Sequence, residues 1–536
     1  MEKVKLFING EVVTVNANND VVEAVAVKGD KILAVGTTEE VLALNEDGEA
    51  EVIDLAGKTL TPGLIDAHLH VTTIGTNTLS VSCKAEHIHS IEDILTDLRK
   101  AKENTPKGEW IRAWGFNESK IAEKRYPTIE ELDAISKEHP ILVVRTCTHI
   151  SVANSYTLQL AGIDKNTPNP EGGIYEKNEQ GDLTGLLIEN AHMNLLALAS
   201  FSDEELDKAH AIASDLLVEK GITSIHDATS FGPRNMRALQ KAALEGLLKP
   251  RVYAMVGALN NAEIIVERML DAGIYTGLGN EKYKIGPVKL FLDGSSSGPT
   301  IWTKEPYTSD PNNYGVHYYE QEFVDKLFVE AHKQGWQITV HAQGDAAIDM
   351  ILNTIEKANE VCPRPNARHR IEHAGIATPD LIERMKKQGI IPTPNPAFLY
   401  EFGDGYLKNY GERTNHMFPL KDYLEAEIPA AITSDSPVTD FAPMRGIHAA
   451  LTRKAFDGQE VGANQSIDLM DAIRMYTINA AHASFDEEIK GSIEVGKLAD
   501  LVIFDRALLE VETEELLDVQ VAYTMIGGEI VYQRES

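Results

Sequence analysis

The residues best placed to do chemistry are two histidines one residue apart, closing the run Thr61-Pro62-Gly63-Leu64-Ile65-Asp66-Ala67-His68-Leu69-His70. Alternate residues of a strand face the same side, so His68 and His70 project together, one pleat apart. Two imidazoles on one rigid support can grip a single metal ion. Spacing alone does not establish this, because 17 histidines in 536 residues produce such pairs by accident. His87 and His89 form a second pair; it follows no strand, and Ser90-Ile91-Glu92-Asp93 behind it reads as a helix start with a capping box. The first pair differs in what lies downstream. Gln337-Ile338-Thr339-Val340-His341 ends in histidine, as does Arg368-His369-Arg370-Ile371-Glu372-His373. Ile428 through Asp435 ends in a carboxylate, and Ser436-Pro437 breaks the chain behind it. Gly286 through Asp293 carries Lys289 inside an otherwise apolar strand, where an unpartnered lysine is rare. Taken alone, Lys289 also fits a salt bridge to a neighbouring strand.

These side chains sit at or near the ends of apolar runs that alternate with helical patterns, the signature of βα units around a parallel sheet. The first 60 residues are strand-rich, and Ile8-Asn9-Gly10-Glu11 and Val27-Lys28-Gly29-Asp30 lie between apolar runs as hairpin turns would. The tail after about 490 reads the same way. Two terminal pieces, each too small to bury a core, are expected to pair into one small β-sandwich.

The order His-x-His, Lys, His, His, Asp at successive strand ends resembles the amidohydrolase superfamily of metal-dependent hydrolases. The resemblance covers nearly the whole chain, down to Gly496-Lys497-Leu498-Ala499-Asp500-Leu501-Val502, which is similar to that family's return to its small β domain. Trp110 through Phe116, Val288 through Gly294 and Ser434 through Val438 resemble the branch containing N-substituted formamide deformylase. The implied fold class is α/β: a distorted TIM (β/α)8 barrel at 61–489, a β-sandwich from 1–60 plus 490–536, and an α+β insertion at about 71–200. Barrel strands are predicted near 64–68, 222–226, 251–256, 287–292, 337–341, 369–373, 389–393 and 430–434. Ser202 caps a predicted helix from Asp203 through Val218. The insertion, with a helix near 91–103 and a strand at 141–144, follows the first strand at the face where barrel active sites are built, so it is expected to wall the pocket.

The resemblance also implies roles. His68 and His70 would hold a more buried ion and His341 and His373 a more exposed one. Lys289, carboxylated by carbon dioxide, would bridge the two, and Asp435 would complete the first site. Imidazole and carboxylate ligands suit zinc best, with manganese, iron or nickel possible; one ion is expected if Lys289 stays an amine. Metal-activated hydroxide would attack a carbonyl while Asp435 acts as general base and then acid. The expected reaction is hydrolysis of a C–N bond in an amide-type small molecule: an N-substituted formamide, N-acyl or cyclic amide. Trp114, His149, His226 and Asp293 are candidate substrate contacts, each also compatible with a structural role. A deaminase of aminated heterocycles is the rival on the same barrel. Such enzymes carry a glutamate three residues after the strand-five histidine, where this chain has Gly344, and do not need Lys289. A regulatory or binding protein that kept the scaffold is the other alternative, opposed by six filled ligand positions.

Composition sets limits. A chain of 59.0 kDa with 43% hydrophobic residues can bury a full core. Cys83, Cys147 and Cys362 are scattered and odd in number, so disulfides are not expected. A formal net charge of -32 argues against nucleic acid and anionic membranes as partners. The opening Met1-Glu2-Lys3-Val4-Lys5 is not an apolar signal, and no long apolar run follows, so a cytoplasmic protein acting on a small molecule is expected. A homodimer is possible.

Overall fold

The computed structural model describes residues 3–45, 48–84, 88–146, 150–170, 172–229, 232–258 and 261–535. The chain divides into two compact units, Met1–Val71 with Ala213–Ser536, and Thr72–Ile212.

The larger unit holds a seven-stranded sheet with its strands side by side in chain order: Leu64–Leu69, Ile222–Asp227, Arg251–Val256, Tyr283–Phe291, Ile338–Ala342, Arg370–His373 and Ile391–Thr393. Every pairing is parallel. Helices return the chain between strands, among them Pro233–Glu245, Ala262–Asp271, Gln321–Lys333, Asp345–Val361 and Pro379–Gln388. Val288, Leu290, Ile338, Val340 and Ile371 from the sheet share one core with Phe328, Ile348, Ile351 and Leu381 from the helices. Such covering explains the near-continuous apolar strands, which alternating half-exposed strands would not show.

The eighth predicted strand, 430–434, is corrected by the structure: it forms no regular strand. It nevertheless fills the gap. Ala431 and Thr433 donate their N–H groups to the carbonyls of Pro392 and Pro394 at 3.1 and 3.2 Å, and Asp435 donates to the His68 carbonyl at 2.8 Å. Proline causes the irregularity. Positions 392 and 394 offer carbonyls to this segment but have no N–H to give, so bonding runs one way only. Asp66 supplies what the ladder lacks. Its carboxylate accepts from Ser434 Oγ at 2.5 Å and Ser434 N at 3.2 Å while also taking His68 N at 3.1 Å.

The terminal segments of this unit form two sheets. One has the order Lys31–Gly36, Ala24–Lys28, Val4–Ile8, Glu51–Asp54; the other runs Glu529–Gln533, Val521–Ile526, Leu501–Phe504, Thr59–Pro62, Glu11–Val13, Val21–Val22. Phe7, Val25 and Val27 of the first pack in one cluster with Val12, Leu60, Leu501, Ile503 and Met525 of the second. Lys28-Gly29-Asp30-Lys31 is a tight hairpin, with Lys28 opposite Lys31. The expected hairpin at Ile8–Glu11 is not one. Val4–Ile8 has both edges occupied in the first sheet, so the chain crosses to the second, where Glu11–Val13 pairs with Thr59–Pro62 and Val21–Val22. Thr59–Pro62 leads directly into Leu64–Leu69 and so fixes the base of the first barrel strand.

The smaller unit carries a six-stranded sheet in the order Gly173–Lys177, Leu183–Glu189, Ile150–Ala153, Ile141–Arg145, Ile111–Phe116, Val81–Ser82. Its helix Ile91–Asn104 opens on the predicted capping box, Ser90 with Asp93, and buries Ile91, Ile94, Leu95 and Leu98. Among the described residues no helix is long and apolar enough to cross a membrane.

Candidate metal centre

His68 is the penultimate residue of the first barrel strand, which ends at Leu69, and His70 follows it, with the His70 N–H bonded to the Ser436 carbonyl at 2.8 Å. His341 lies on the fifth strand, opposite Glu372 of the sixth. His373 ends the sixth strand with φ 70°, and Asp435 has φ 56°. Both leave the pleat at residues where L side chains rarely adopt such angles, which is how strand-end residues turn toward a common centre. His68 Nε2 and His70 Nε2 each lie 3.3 Å from Asp435 Oδ1, and these three buried residues could hold one ion. The His373 ring lies 4.8 Å from that of His68 and 4.6 Å from that of His341, centre to centre.

The outward nitrogens decide what the inward ones can do. His70 Nδ1 meets the Thr229 carbonyl at 2.6 Å, and His341 Nε2 meets the Gly294 carbonyl at 2.8 Å. His68 Nδ1 meets Glu372 Oε2 at 2.5 Å, and His373 Nδ1 meets Asn395 Oδ1 at 2.7 Å. All four partners are acceptors, so each of these nitrogens carries a proton, and in a neutral ring the other nitrogen is left to present a lone pair. Burial pushes His341 down to about 4 and His373 well below the usual imidazole range, so both rings are neutral. With neutral rings at His68 and His70, two imidazole lone pairs and a carboxylate oxygen converging at 3.3 Å repel one another unless a cation lies between them. That donor set fits a divalent ion of the zinc type.

Lys289 is fully buried on the fourth strand. Its amine lies 3.2 Å from His68 Nε2, donates to the Ala228 carbonyl at 3.2 Å, and sits 4.6 Å from the centre of the Phe291 ring. Burial pushes its ammonium down to about 8. Asp293 is also buried, and its carboxylate accepts the N–H groups of Gly344, Gln343 and Trp302 at 2.7, 3.0 and 3.0 Å. It therefore ties the loop after the fourth strand to the turn after His341. His226 is fully buried below the mouth, where it accepts from Arg370 Nη1 at 2.9 Å and packs against Tyr253. It does not pair with its neighbour Asp227, which instead takes the Val71 N–H at 3.1 Å. Trp114 belongs to the smaller unit, on the strand Ile111–Phe116, with Lys84 Nζ 5.3 Å from its ring centre. His149 lies outside the described residues.

Four residues that hold this geometry were not singled out from the sequence: Glu372, Asn395, Thr229 and Asp66. Strand parity gave a signal for the first, since Arg370 and Glu372 alternate onto the face that His341 shares. Burial opposes the charge on Glu372, but Arg370 outweighs it and holds the carboxyl well below its usual range. Thr229 acts through its backbone carbonyl and so has no side-chain signature.

A nearly closed parallel barrel with histidines and a carboxylate gathered at its strand ends defines a metal-dependent hydrolase class. Residues 51–532 match the model of the Amidohydrolase family, and the chain belongs to that family of enzymes, which act on carbon–nitrogen bonds other than peptide bonds. It is 32% identical to N-substituted formamide deformylase of Arthrobacter pascens over 99% of this chain and 98% of that protein. It is 30% identical to the putative amidohydrolase YtcJ of Bacillus subtilis (strain 168) over 98% of both. Among solved structures, an uncharacterized metal-dependent hydrolase from Pyrococcus horikoshii OT3 superposes with a TM-score of 0.81 at 26% identity, covering 96% of this chain and 99% of that one.

Proposed function

We propose that this chain is a cytoplasmic enzyme that hydrolyses the C–N bond of an amide-type small molecule: an N-substituted formamide, an N-acyl compound or a cyclic amide. Its residues His68, His70, Lys289, His341, His373 and Asp435 would hold divalent metal, with zinc the best match to the donors. The observation that carries this reading is the convergence of His68 Nε2 and His70 Nε2 on Asp435 Oδ1, each at 3.3 Å, with both outward nitrogens already committed. A divalent ion there supplies Lewis acidity, which lowers the pKa of water and polarises a carbonyl. Asp435 accepts the proton of the attacking water and passes it to the departing nitrogen.

Lys289 has two forms to choose between. As an ammonium it would be repelled by metal. As a neutral amine, which its burial favours, it adds to carbon dioxide, forming an N–C bond and releasing a proton. The resulting carbamate is anionic and has two oxygens, so it suits a bridge between two ions.

Gly344 supports amide hydrolysis over deamination of heterocycles. A Cβ at this position would fall 1.8 Å from the Trp302 carbonyl oxygen, so the position has no room for the glutamate that deaminases of this barrel carry. The similarity to N-substituted formamide deformylase points the same way. A panel of N-formyl, N-acyl and cyclic amides beside aminated heterocycles tests the reading. Amine release from amides, abolished by a chelator and restored by zinc, is expected; ammonia release from heterocycles alone would overturn it.

A further inference from the structure

Three of the four metal-facing imidazoles anchor their outward N–H on a neutral acceptor: the Thr229 carbonyl, the Gly294 carbonyl and Asn395 Oδ1. His68 instead hydrogen-bonds a carboxylate, Glu372 Oε2 at 2.5 Å, whereas the carboxylate nearest the outward nitrogen of His341, Asp293 Oδ1, stands off at 3.6 Å. The Glu372 carboxylate is fully buried and held on every side. Arg370 donates Nε to Oε1 at 2.8 Å and Nη2 to Oε2 at 3.0 Å, and the hydroxyls of Thr339 and Thr393 donate at 2.5 and 2.9 Å. Arg370 is itself fixed by the Ala67 carbonyl at 2.6 Å and by His226 Nδ1 at 2.9 Å. Neither partner of the ion pair is free to swing.

We infer that Glu372 is a positioning residue for the metal centre. It keeps the proton on His68 Nδ1, and as an anion directly behind the ring it makes Nε2 a stronger donor than a neutral acceptor would. Arg370, Thr339 and Thr393 hold Glu372 in line. Arg370 also offsets the cost of burying the carboxylate, since a buried charge survives only when paired and hydrogen-bonded. The inference rests on the metal reading above and adds to it the residue that sets the strength of the His68, His70 and Asp435 site.

The test measures zinc affinity of the full-length protein by chelator competition in Glu372→Gln, Thr339→Val and His68→Ala, with 15N NMR of the histidine rings in the metal-free protein. Glutamine keeps an acceptor near His68 but removes the charge. It should weaken zinc binding by about tenfold to a hundredfold, the range seen when such outer partners are lost. The NMR spectra should show the His68 ring still protonated at Nδ1, so that the affinity loss reads the missing charge. Affinity within twofold of wild type in Glu372→Gln would overturn the inference. Should that variant fail to fold, Thr339→Val decides: it leaves the charge in place, and an affinity loss smaller than tenfold but measurable is expected, whereas no loss overturns the inference. His68→Ala separates the two levels. If it binds zinc like wild type, the metal reading itself falls. If it loses zinc while Glu372→Gln does not, only the role of Glu372 falls.

Discussion

Replacing Ser434 with alanine removes the clasp that closes the barrel where its eighth strand is irregular. The Ser434 hydroxyl does two things: it donates to Asp66 Oδ2 at 2.5 Å and accepts the Ser436 N–H at 3.0 Å. The first is a charge-assisted bond, worth about 1.5–3 kcal/mol, and the second leaves a buried donor unpaired at about 1–3 kcal/mol. A net loss of about 3 kcal/mol is expected after local relaxation. With about 2.1 cal/mol/K of unfolding entropy per residue over the roughly 400 residues of the larger unit, that lowers its thermal midpoint by about 4 °C. The contrast with Asp66→Asn sharpens the expectation. Burial pushes the Asp66 carboxyl up to about 6, so the site already resists the charge, and an amide that still accepts from His68 N and Ser434 N should cost less than Ser434→Ala. Calorimetry of the metal-free proteins gives the stability ranking. Turnover should fall in Ser434→Ala, because Asp435 follows Ser434 directly and a shift of about 1 Å in a reacting group can cost about a hundredfold. A midpoint unchanged within 1 °C, or Asp66→Asn the more damaging of the two, would refute the clasp.

Two further outcomes are expected. In the smaller unit, His210 is buried against the Thr72 hydroxyl at 3.0 Å, and burial pushes it from its ordinary 6.5 down to about 4. Below pH 6.5 the unfolded chain therefore takes up a proton that the folded unit refuses; stability is full above that pH and drains by about 3 kcal/mol as pH falls toward 4. Urea titrations at pH 7.5 and 4.5 should show this loss, reduced in His210→Gln; equal pH sensitivity in both proteins would contradict it. Gly344→Ala should destabilise by about 1–3 kcal/mol through steric crowding alone, since its φ of -83° suits any residue while a Cβ meets the Trp302 carbonyl. Amide turnover at wild-type stability in that variant would show the crowding to be harmless.

The polar residues at the ends of apolar runs were legible in the sequence because parallel strands expose their chemistry only at their carboxyl ends. Lys289 could be singled out since a lysine inside the apolar run Val288-Lys289-Leu290 is rare without a partner, although a salt bridge to a neighbouring strand would also explain it. The seven strands that form a ladder follow from the same apolar runs. The eighth was misread as regular because its own sequence is strand-like; the defect lies in its neighbour, where Pro392 and Pro394 withhold their donors. Asn9-Gly10 looked like a hairpin turn, but which sheet Glu11–Val13 joins depends on Thr59–Pro62, far along the chain. Asp293 shares strand parity with Lys289, yet three backbone N–H groups occupy its carboxylate, and no pattern along one strand could reveal them. Glu372 and Asp66 are hidden for a related reason: each acts on a residue more than 300 positions away in the chain, His68 and Ser434 respectively.

Zinc stoichiometry after equilibrium dialysis is the most direct test of whether the strand-end cluster holds metal. Wild type should retain two ions per chain, Lys289→Ala one, and the His68→Ala/His70→Ala double variant should lose the ion shared with Asp435. A wild-type protein that retains no divalent metal, or a folded double variant that retains as much as wild type, would contradict the proposed centre.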